Sequence, residues 1–117
     1  MTTITLHGLD RPLAFDTDQP IGLGRAPGNA VCIPDNRVSG LHGELQRFDS
    51  DWVYRDLRST NGSVVQRGDQ QIVVDGRNTP HSAIQDGDRL LLSAGRSRFT
   101  LQTLPTEDFP VMTGGDM

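Results

Sequence analysis

Apolar and polar residues alternate in short stretches along the whole chain, and turn-forming residues such as Asp-Gly and Pro-Gly-Asn separate these stretches. An alternation with period two is typical of β-strands that bury one face. No window of eleven residues shows a clean helical stripe free of Gly, Pro and Asn. The predicted strands lie near residues 3–7, 13–15, 21–24, 30–33, 41–48, 52–54, 64–65, 72–74, 89–92 and 99–101. We therefore predict an all-β fold, an antiparallel β-sandwich of about ten or eleven short strands.

Two segments depart from this regular alternation. Residues 68–83 are polar around the apolar run 72–74, which predicts a hairpin followed by a long loop. Residues 105–117 contain two prolines, two glycines and little to bury, so we expect a disordered tail or the end of an expressed fragment. Residues 1–104 then form one domain, as the length of 117 residues allows.

Composition and charge narrow the class of protein. Apolar residues make up 34% of the chain and aromatic residues only 5%, so the core must consist mostly of Val, Ile and Leu. The net charge of −4 argues against a nucleic-acid-binding protein, because affinity for a phosphate backbone comes from excess positive charge. All 11 basic residues are arginines, as is common in proteins from GC-rich, often bacterial genomes. Any cation in a binding site is therefore a planar guanidinium that can bind an oxyanion in bidentate fashion.

The single cysteine and the lack of long apolar runs indicate where the protein acts. Cys32 lies between Val31 and Ile33 and is expected to be a buried, unreactive thiol. One cysteine forms no intrachain disulfide, which fits a reducing compartment. No apolar run approaches the ~20 residues of a membrane span, and residues 1–15 lack the pattern of a signal peptide. We expect a cytoplasmic protein that does not insert into a membrane.

Three polar segments at the ends of predicted strands contain the residues with candidate binding chemistry. They are Gly24-Arg25, Ser39-Gly40-Leu41-His42 and Asp56-Leu57-Arg58-Ser59-Thr60-Asn61-Gly62. Together they offer a guanidinium, hydroxyl groups and a carboxamide on three separate turns. A phosphate ester has about −1.5 to −2 charges and three strong acceptor oxygens, so such a set can bind it without any proton transfer. The pattern favours a site for a phosphorylated side chain.

The order and spacing of these segments resemble the forkhead-associated (FHA) domain, a phosphothreonine-binding β-sandwich of the FHA/SMAD-like type with its ligand loops at one end. The resemblance covers about residues 4–104, and residues 84–90 are similar to the late turn of that family into a strand. It implies a module of Ser/Thr kinase signalling that recognises a phosphothreonine-containing partner protein. Either a kinase substrate or the kinase itself would be that partner.

The resemblance also implies a role for each matching residue. Arg25 and Ser39 would contact the phosphate, and Thr60 would help to hold the phosphothreonine. Asn61 would bond the main chain of the ligand beside the modified residue. The residues implied to keep the loops in shape are Gly24, His42 and Gly62.

One residue departs from the pattern of the family. Gly40 stands where FHA domains commonly have Arg, Lys or Asn, a side chain that often adds a contact to the phosphate or the peptide. Arg37 and Arg58, each beside a binding segment, are candidates to replace that contact, and Ser59 is a further candidate ligand. The missing side chain keeps a second hypothesis open, an FHA-like scaffold that binds a partner protein independently of phosphorylation.

Other classes of function find little support in the sequence. A serine hydrolase would have to pair Ser39 with His42 or His81, but the chain contains no G-x-S-x-G motif. His7, His42 and His81 are too widely spaced for a standard metal site. We therefore expect no catalytic residues, no bound metal and no cofactor.

Overall fold

The structure, a computed structural model, describes residues 2–105, which form eleven strands and one short 3-10 turn at Ser93–Gly95. The predicted tail of residues 105–117 lies outside the described residues except for Pro105. The strands are β1 (Thr2–His7), β2 (Leu13–Phe15), β3 (Ile21–Gly24), β4 (Val31–Cys32), β5 (Gly43–Phe48), β6 (Asp51–Asp56), β7 (Ser63–Arg67), β8 (Gln70–Val74), β9 (His81–Ile84), β10 (Arg89–Leu92) and β11 (Ser97–Pro105).

The strands form two sheets that pack face to face. One sheet has six strands in the order β2-β1-β11-β10-β7-β8, and the other has five in the order β4-β3-β5-β6-β9. Neighbouring strands are antiparallel, except that β3 and the two-residue β4 pair in parallel. The predicted all-β sandwich is confirmed, with this one parallel pair as its departure from a purely antiparallel arrangement.

The core between the sheets follows from the alternation seen in the sequence. In β1, Ile4 and Leu6 are fully buried while Thr3 and Thr5 face outward. Leu and Val residues supply most of the interior, and Trp52 of β6 is its largest side chain. Each fully buried aliphatic or aromatic side chain contributes about 1.5–3 kcal/mol.

Three loops emerge at one end of the sandwich because of how the strands pair. Leu23 near the end of β3 lies opposite Gly43 at the start of β5, and Gly43 in turn lies opposite Asp56 at the end of β6. The loops after β3 (residues 25–30), before β5 (33–42) and after β6 (57–62) therefore meet at the same edge. These loops, with the strand ends Gly24 and Asp56, contain the three polar segments, at one end of the sandwich as predicted.

Two details of the sequence-based prediction are wrong. Cys32 is exposed, because period two places it on the outer side of an edge strand while its neighbours Val31 and Ile33 are buried. Leu41, expected at the start of a strand, is 52% exposed in the loop before β5.

The predicted hairpin and loop of residues 68–83 are only partly as expected. β7 and β8 do form an antiparallel hairpin. The loop that follows, however, is short and leads into β9, which pairs with β6 along the edge of the second sheet. Only Ile84 of β9 is buried, so the strand has little apolar signal.

A buried arginine at the far end of the sandwich was not anticipated from the sequence. Arg47 of β5 is 6% exposed, and its guanidinium donates to Asp16 at 2.6 Å, to Asp18 at 2.8 Å and to the Thr2 carbonyl oxygen at 2.9 Å. It also lies 5.7 Å from the centre of the Trp52 ring, within the range of a cation–π contact. One side chain thus ties the segment between β2 and β3 to β1 and to the core.

We expect Arg47→Ala to lower the free energy of unfolding by about 2–3 kcal/mol. The two aspartates are mostly exposed, so their ion pairs are weakened by solvent. The larger part of the loss comes from the packing on Trp52 and from a buried carbonyl oxygen that loses one of its donors. Urea unfolding followed by Trp fluorescence measures the change. Arg55→Ala, an exposed arginine on the adjacent β6, is the control and should shift stability by less than about 0.5 kcal/mol; equal effects of the two substitutions would contradict the role given to Arg47.

Candidate functional site

Arg25 follows directly on β3 and is held by the loop opposite. Its backbone N–H donates to the Ser39 carbonyl oxygen at 2.9 Å. Its side chain is exposed, and Nε donates to the Val38 carbonyl oxygen at 3.2 Å. The hydrogen bond through Nε fixes the plane of the guanidinium and leaves the two terminal nitrogens for a ligand. Because those nitrogens form a planar fork, they match two oxygens of one phosphate.

Gly24 is required by the close approach of the two loops. A Cβ atom on Gly24 would collide with the carbonyl oxygen of Gly40. That same oxygen accepts hydrogen bonds from the Ala26 backbone N–H at 3.1 Å and from Nδ2 of Asn29 at 2.6 Å. Asn29 also bonds the Ala26 carbonyl oxygen at 2.9 Å. Sequence reasoning assigned Asn29 only to a turn, but it connects the loop of Arg25 to the loop of Ser39.

Ser39 is oriented by the third loop. Its Oγ accepts a hydrogen bond from the backbone N–H of Thr60 at 3.0 Å. A serine hydroxyl has one proton and two lone pairs, so this bond uses a lone pair and leaves the proton free to be donated. Ser39 is half-buried at the mouth of the loops. Its hydroxyl is thereby prepared to donate to an anionic oxygen.

Thr60 and Asn61 lie exposed at the tip of the loop after β6. Nδ2 of Asn61 donates to the Arg37 carbonyl oxygen at 2.7 Å, which leaves the amide oxygen as an acceptor. Within residues 2–105 the Thr60 side chain makes no hydrogen bond. Both side chains therefore have polar atoms free for a ligand.

His42 is fully buried beneath these loops and joins two of them. Its Nδ1 accepts from the Ser39 backbone N–H at 3.1 Å, so the ring proton must be on Nε2, which donates to the Gly62 carbonyl oxygen at 2.8 Å. Gly62 has φ +72°, the left-handed region that glycine tolerates best. Both ring nitrogens are occupied, and neither contacts the Ser39 hydroxyl. The ring holds the loops together and is not placed to act as a base for that serine.

A buried carboxylate supports the loop of Thr60 and Asn61 from inside. Asp56 lies at the end of β6 and is 2% exposed. Its carboxylate accepts hydrogen bonds from the backbone N–H of Ser59 at 3.0 Å and from the Ser59 hydroxyl at 2.5 Å. It also accepts from the Ser63 hydroxyl at 2.8 Å and from the Gly76 N–H at 2.9 Å. The Tyr54 hydroxyl lies 2.8 Å from Ser63 Oγ, and burial raises the pKa of Tyr54 above its usual range. All of these groups are satisfied within the protein.

This network changes the expectation for Ser59. Its hydroxyl donates to the Asp56 carboxylate and its backbone N–H is used by the same group. Ser59 therefore has no proton left for a ligand and belongs with the residues that support the loop. Asp56 is part of the sequence motif, but the sequence does not show which residues donate to its carboxylate, so its supporting role could not be predicted.

Comparison with known proteins identifies the fold family. The family model for the FHA domain matches residues 21–93, more than half of the chain. The chain belongs to the FHA family.

Relatives and solved structures agree with this assignment. This FHA domain is 35% identical over 51 residues to the FHA domain-containing protein FhaB of Mycobacterium tuberculosis, a match that spans 44% of this chain and 33% of FhaB. A domain solved in a study of phosphothreonine-dependent FHA domain interactions is 26% identical, with a TM-score of 0.67, covering 90% of this chain and 98% of that one. Mycobacterium tuberculosis EmbR, solved in complex with a low-affinity phosphopeptide, is 24% identical with a TM-score of 0.70 over 86% of this chain and 24% of EmbR, and shows the shared fold.

The secondary candidate residues of this FHA domain lie in different places. Arg37 is exposed on the loop before β5, and its backbone carbonyl oxygen accepts the hydrogen bond from Asn61 Nδ2. Arg58 has φ +56° and packs against Gly76. It lines a separate depression of about 540 Å³ beside Pro80. The structure thus places Arg37 beside the main site and Arg58 next to a different surface.

Gly40 leaves open space above the site. A Cβ atom built on Gly40 meets only the Cβ of Ala26, at an ordinary contact distance of 3.9 Å. The residue therefore supplies its carbonyl oxygen to the loop contacts and no side chain to a ligand. A Cβ atom is therefore accommodated at this position without a clash.

The described residues give two further findings on other chemistry. Among residues 2–105, no three His, Cys, Asp or Glu side chains are grouped so that they could bind a metal ion. Over the same range, the structure has no helix of the length and apolar character needed to cross a membrane.

Proposed function

We propose that this FHA domain binds a phosphothreonine-containing segment of a partner protein and catalyses no reaction. The observation that supports this most directly is the state of the polar groups on the three loops. Arg25, Ser39 and Asn61 each use one atom to bond a neighbouring loop. Within residues 2–105, their remaining side-chain donors and acceptors make no hydrogen bond to the protein, as a preformed ligand site requires.

The proposed roles follow from these free groups. The terminal nitrogens of Arg25 and the Ser39 hydroxyl bind the phosphate oxygens, and Thr60 contacts the phosphothreonine beside them. The Asn61 amide oxygen accepts an N–H from the peptide main chain. Gly24, His42 and Gly62 maintain the loop geometry, together with Asp56 and Ser59. The whole process needs hydrogen bonds and charge, and no nucleophile or base.

A binding function also fits the state of the buried histidine. A hydrolase that uses Ser39 needs a base within hydrogen-bond reach of the hydroxyl. His42 instead contacts the Ser39 backbone N–H and uses its second nitrogen on Gly62. Its ring cannot accept the hydroxyl proton without giving up one of these bonds.

The relatives support a setting in Ser/Thr kinase signalling. The FHA domain that is 26% identical was studied for phosphothreonine-dependent interactions, and EmbR was solved with a phosphopeptide. The partner of this domain is then a kinase substrate or the kinase itself. A single cysteine in the chain fits the reducing conditions of the cytoplasm.

Calorimetric titration with a degenerate pool of phosphothreonine peptides tests the proposal. The matched controls are the same pool with phosphoserine and the same pool without phosphate. We expect heat from the phosphothreonine pool alone, with a dissociation constant on the order of micromolar, or about −8 kcal/mol. No heat from any pool, with a folded protein, would refute the proposal. It would instead support the scaffold that binds a partner independently of phosphorylation, the function that the bare Gly40 position favours.

Gly40→Arg should tighten phosphopeptide binding by about three- to tenfold, since an added charged group near a phosphate gains on the order of 1 kcal/mol when partly exposed. The Cβ of residue 40 lies beside Ala26, the neighbour of Arg25, so a new guanidinium can reach the same mouth. Titration of wild type and variant with one phosphothreonine peptide measures the gain. Gly40→Ala is the control and should leave affinity unchanged; a weaker Gly40→Arg complex would show that the open space at this position is needed by the ligand.

A further inference from the structure

We propose that a second surface of this domain, an arginine-lined groove beside the three loops, binds an acidic segment of the same partner protein that contributes the phosphothreonine. The proposal rests on the proposed function and extends it from one phosphorylated residue to a longer stretch of the partner. The groove lies between the β1–β2 turn, the first part of the loop before β5, and the start of β11.

The groove has a strongly basic lining for an acidic protein. Four of the eleven arginines of the chain line it, and all four are exposed: Arg11, Arg37, Arg96 and Arg98. Two aspartates, Asp10 and Asp35, line it as well. The groove is therefore net positive, although the chain as a whole has a charge of −4. A concentration of one sign of charge against the net charge of the molecule is typical of a surface that attracts an oppositely charged partner.

One of the two aspartates, Asp35, already accepts hydrogen bonds from other residues of the domain. Asp35 accepts from the Arg37 backbone N–H at 2.9 Å and from the hydroxyls of Ser93 and Ser97 at 2.8 Å each. These hydrogen bonds, the backbone bond first, lower the pKa of Asp35 to about 2. The carboxylate thus holds the loop before β5 against β11 and shapes the wall of the groove.

The arginines are the free groups of the groove. Within residues 2–105, none of its four arginines forms a salt bridge. Arg98 donates through Nε to the Gly95 carbonyl oxygen at 2.8 Å, which positions its guanidinium and leaves the terminal nitrogens available. Several guanidinium groups are thus available on one surface for carboxylates of a ligand.

The groove is continuous with the phosphothreonine site. Arg37 belongs to its lining, and its carbonyl oxygen accepts the hydrogen bond from Asn61. Cys32, also in the lining, has its Sγ 3.5 Å from the carbonyl oxygen of Arg25. A chain bound at Arg25 and Asn61 therefore needs to pass only the loop of residues 33–37 to enter the groove.

The size and chemistry of the groove indicate a peptide as its occupant. Its volume is about 1070 Å³, at the upper end of the ~300–1,000 Å³ of small-molecule pockets, which are mostly apolar. Because the groove is open and four of its fifteen lining residues are arginines, an extended segment rich in Asp and Glu matches it in charge and length. Covalent continuity with the phosphothreonine raises the effective concentration of that segment at the groove.

Titration with matched phosphothreonine peptides tests the groove. One peptide has neutral flanks, a second has a run of aspartates at its amino end, and a third has that run at its carboxyl end. Peptides with asparagine in place of aspartate control for length. We expect one of the two acidic peptides to bind the wild type on the order of tenfold more tightly than its asparagine twin, as a few screened charge pairs allow. The gain should fall as salt is raised.

Two sets of substitutions locate that gain. The variant Arg11→Gln/Arg96→Gln/Arg98→Gln should lose the preference for aspartate while binding the neutral peptide like wild type. The matched control Arg55→Gln/Arg77→Gln/Arg89→Gln removes the same charge from exposed arginines elsewhere and should keep most of the preference. Retention of the preference by the first variant, or equal loss by both, would overturn the groove assignment.

The outcomes separate the groove from the primary site. Binding of the neutral phosphopeptide without any gain from either aspartate run would overturn the groove and leave the phosphothreonine site standing. No binding of the neutral phosphopeptide would overturn the proposed function and the groove together.

Discussion

Arg25→Ala should weaken phosphothreonine-peptide binding by between roughly thirtyfold and several thousandfold, the equivalent of about 2–5 kcal/mol for loss of the central cation opposite the phosphate. Because the wild-type complex is expected in the micromolar range, the variant should have a dissociation constant of tens of micromolar or weaker, which a calorimetric titration registers as greatly reduced or no heat. The phosphate would still meet the Ser39 hydroxyl, but its charge would have no guanidinium opposite.

The same substitution should leave the fold almost unchanged. The Arg25 side chain is exposed, and its only hydrogen bond among residues 2–105 is that of Nε to the Val38 carbonyl oxygen at 3.2 Å. The backbone bond from Arg25 N–H to Ser39 does not depend on the side chain. We therefore expect a change in unfolding free energy of less than about 1 kcal/mol by urea titration.

Two variants show whether the effect belongs to the guanidinium. Arg25→Lys keeps the charge but loses the planar fork, so its affinity should lie between those of wild type and alanine. Arg89→Ala removes an exposed arginine of β10, away from the loops, and should bind like wild type. If Arg25→Ala also binds like wild type, our site assignment is wrong and the scaffold hypothesis takes precedence.

The strands of this domain could be predicted wherever one face is buried, because burial imposes the period of two. β1 shows that pattern in full. In β5 burial alternates in the same way, but one of the buried positions is Arg47 and the apolar Phe48 is exposed. β9 does not show the pattern, since only Ile84 of its four residues is buried and the strand exists through its pairing with β6. The prediction that Cys32 is buried was wrong for the opposite reason. Its apolar neighbours suggested a continuous buried run, but a short edge strand has an outer face.

The site could be predicted only as far as its residues make the motif. Arg25, Ser39 and Asn61 stand in segments whose order and spacing are diagnostic. Asp56 stands in the same segment as Asn61, but its supporting role has no such signal, because one of its partners, Gly76, comes from a loop twenty residues further along the chain. Arg47 is similar, since the acids that surround it precede it by about thirty residues. Buried polar groups depend on tertiary contacts, and a single sequence does not show these contacts.

Asp56→Ala should both destabilise the domain and abolish phosphopeptide binding. The substitution removes one acceptor group and leaves the Ser59 and Gly76 N–H groups and the Ser63 hydroxyl without it, in a place where Asp56 is 2% exposed. Loss of a buried hydrogen-bonded carboxylate costs about 3–5 kcal/mol, a large part of the ~5–15 kcal/mol of a typical domain. Asp51→Ala, an exposed aspartate at the other end of β6, is the control and should be near neutral in both assays.

Asp56→Asn separates the hydrogen-bonding role of this residue from its charge. Both backbone N–H groups bond Oδ2, so an amide oxygen placed there keeps them. Oδ1 accepts from the hydroxyls of Ser59 and Ser63 and lies 3.9 Å from His42 Nε2. The hydroxyls can turn to accept from an amide NH₂, whereas the histidine gains no bond from it. We therefore expect Asn to retain most of the stability and a measurable affinity, far above alanine, in urea unfolding and in titration with the same peptide. If Asp56→Asn lowers stability and affinity as much as Asp56→Ala does, the negative charge of Asp56 is itself needed. Hydrogen bonds from an uncharged side chain would then not be sufficient to hold Thr60 and Asn61 in place.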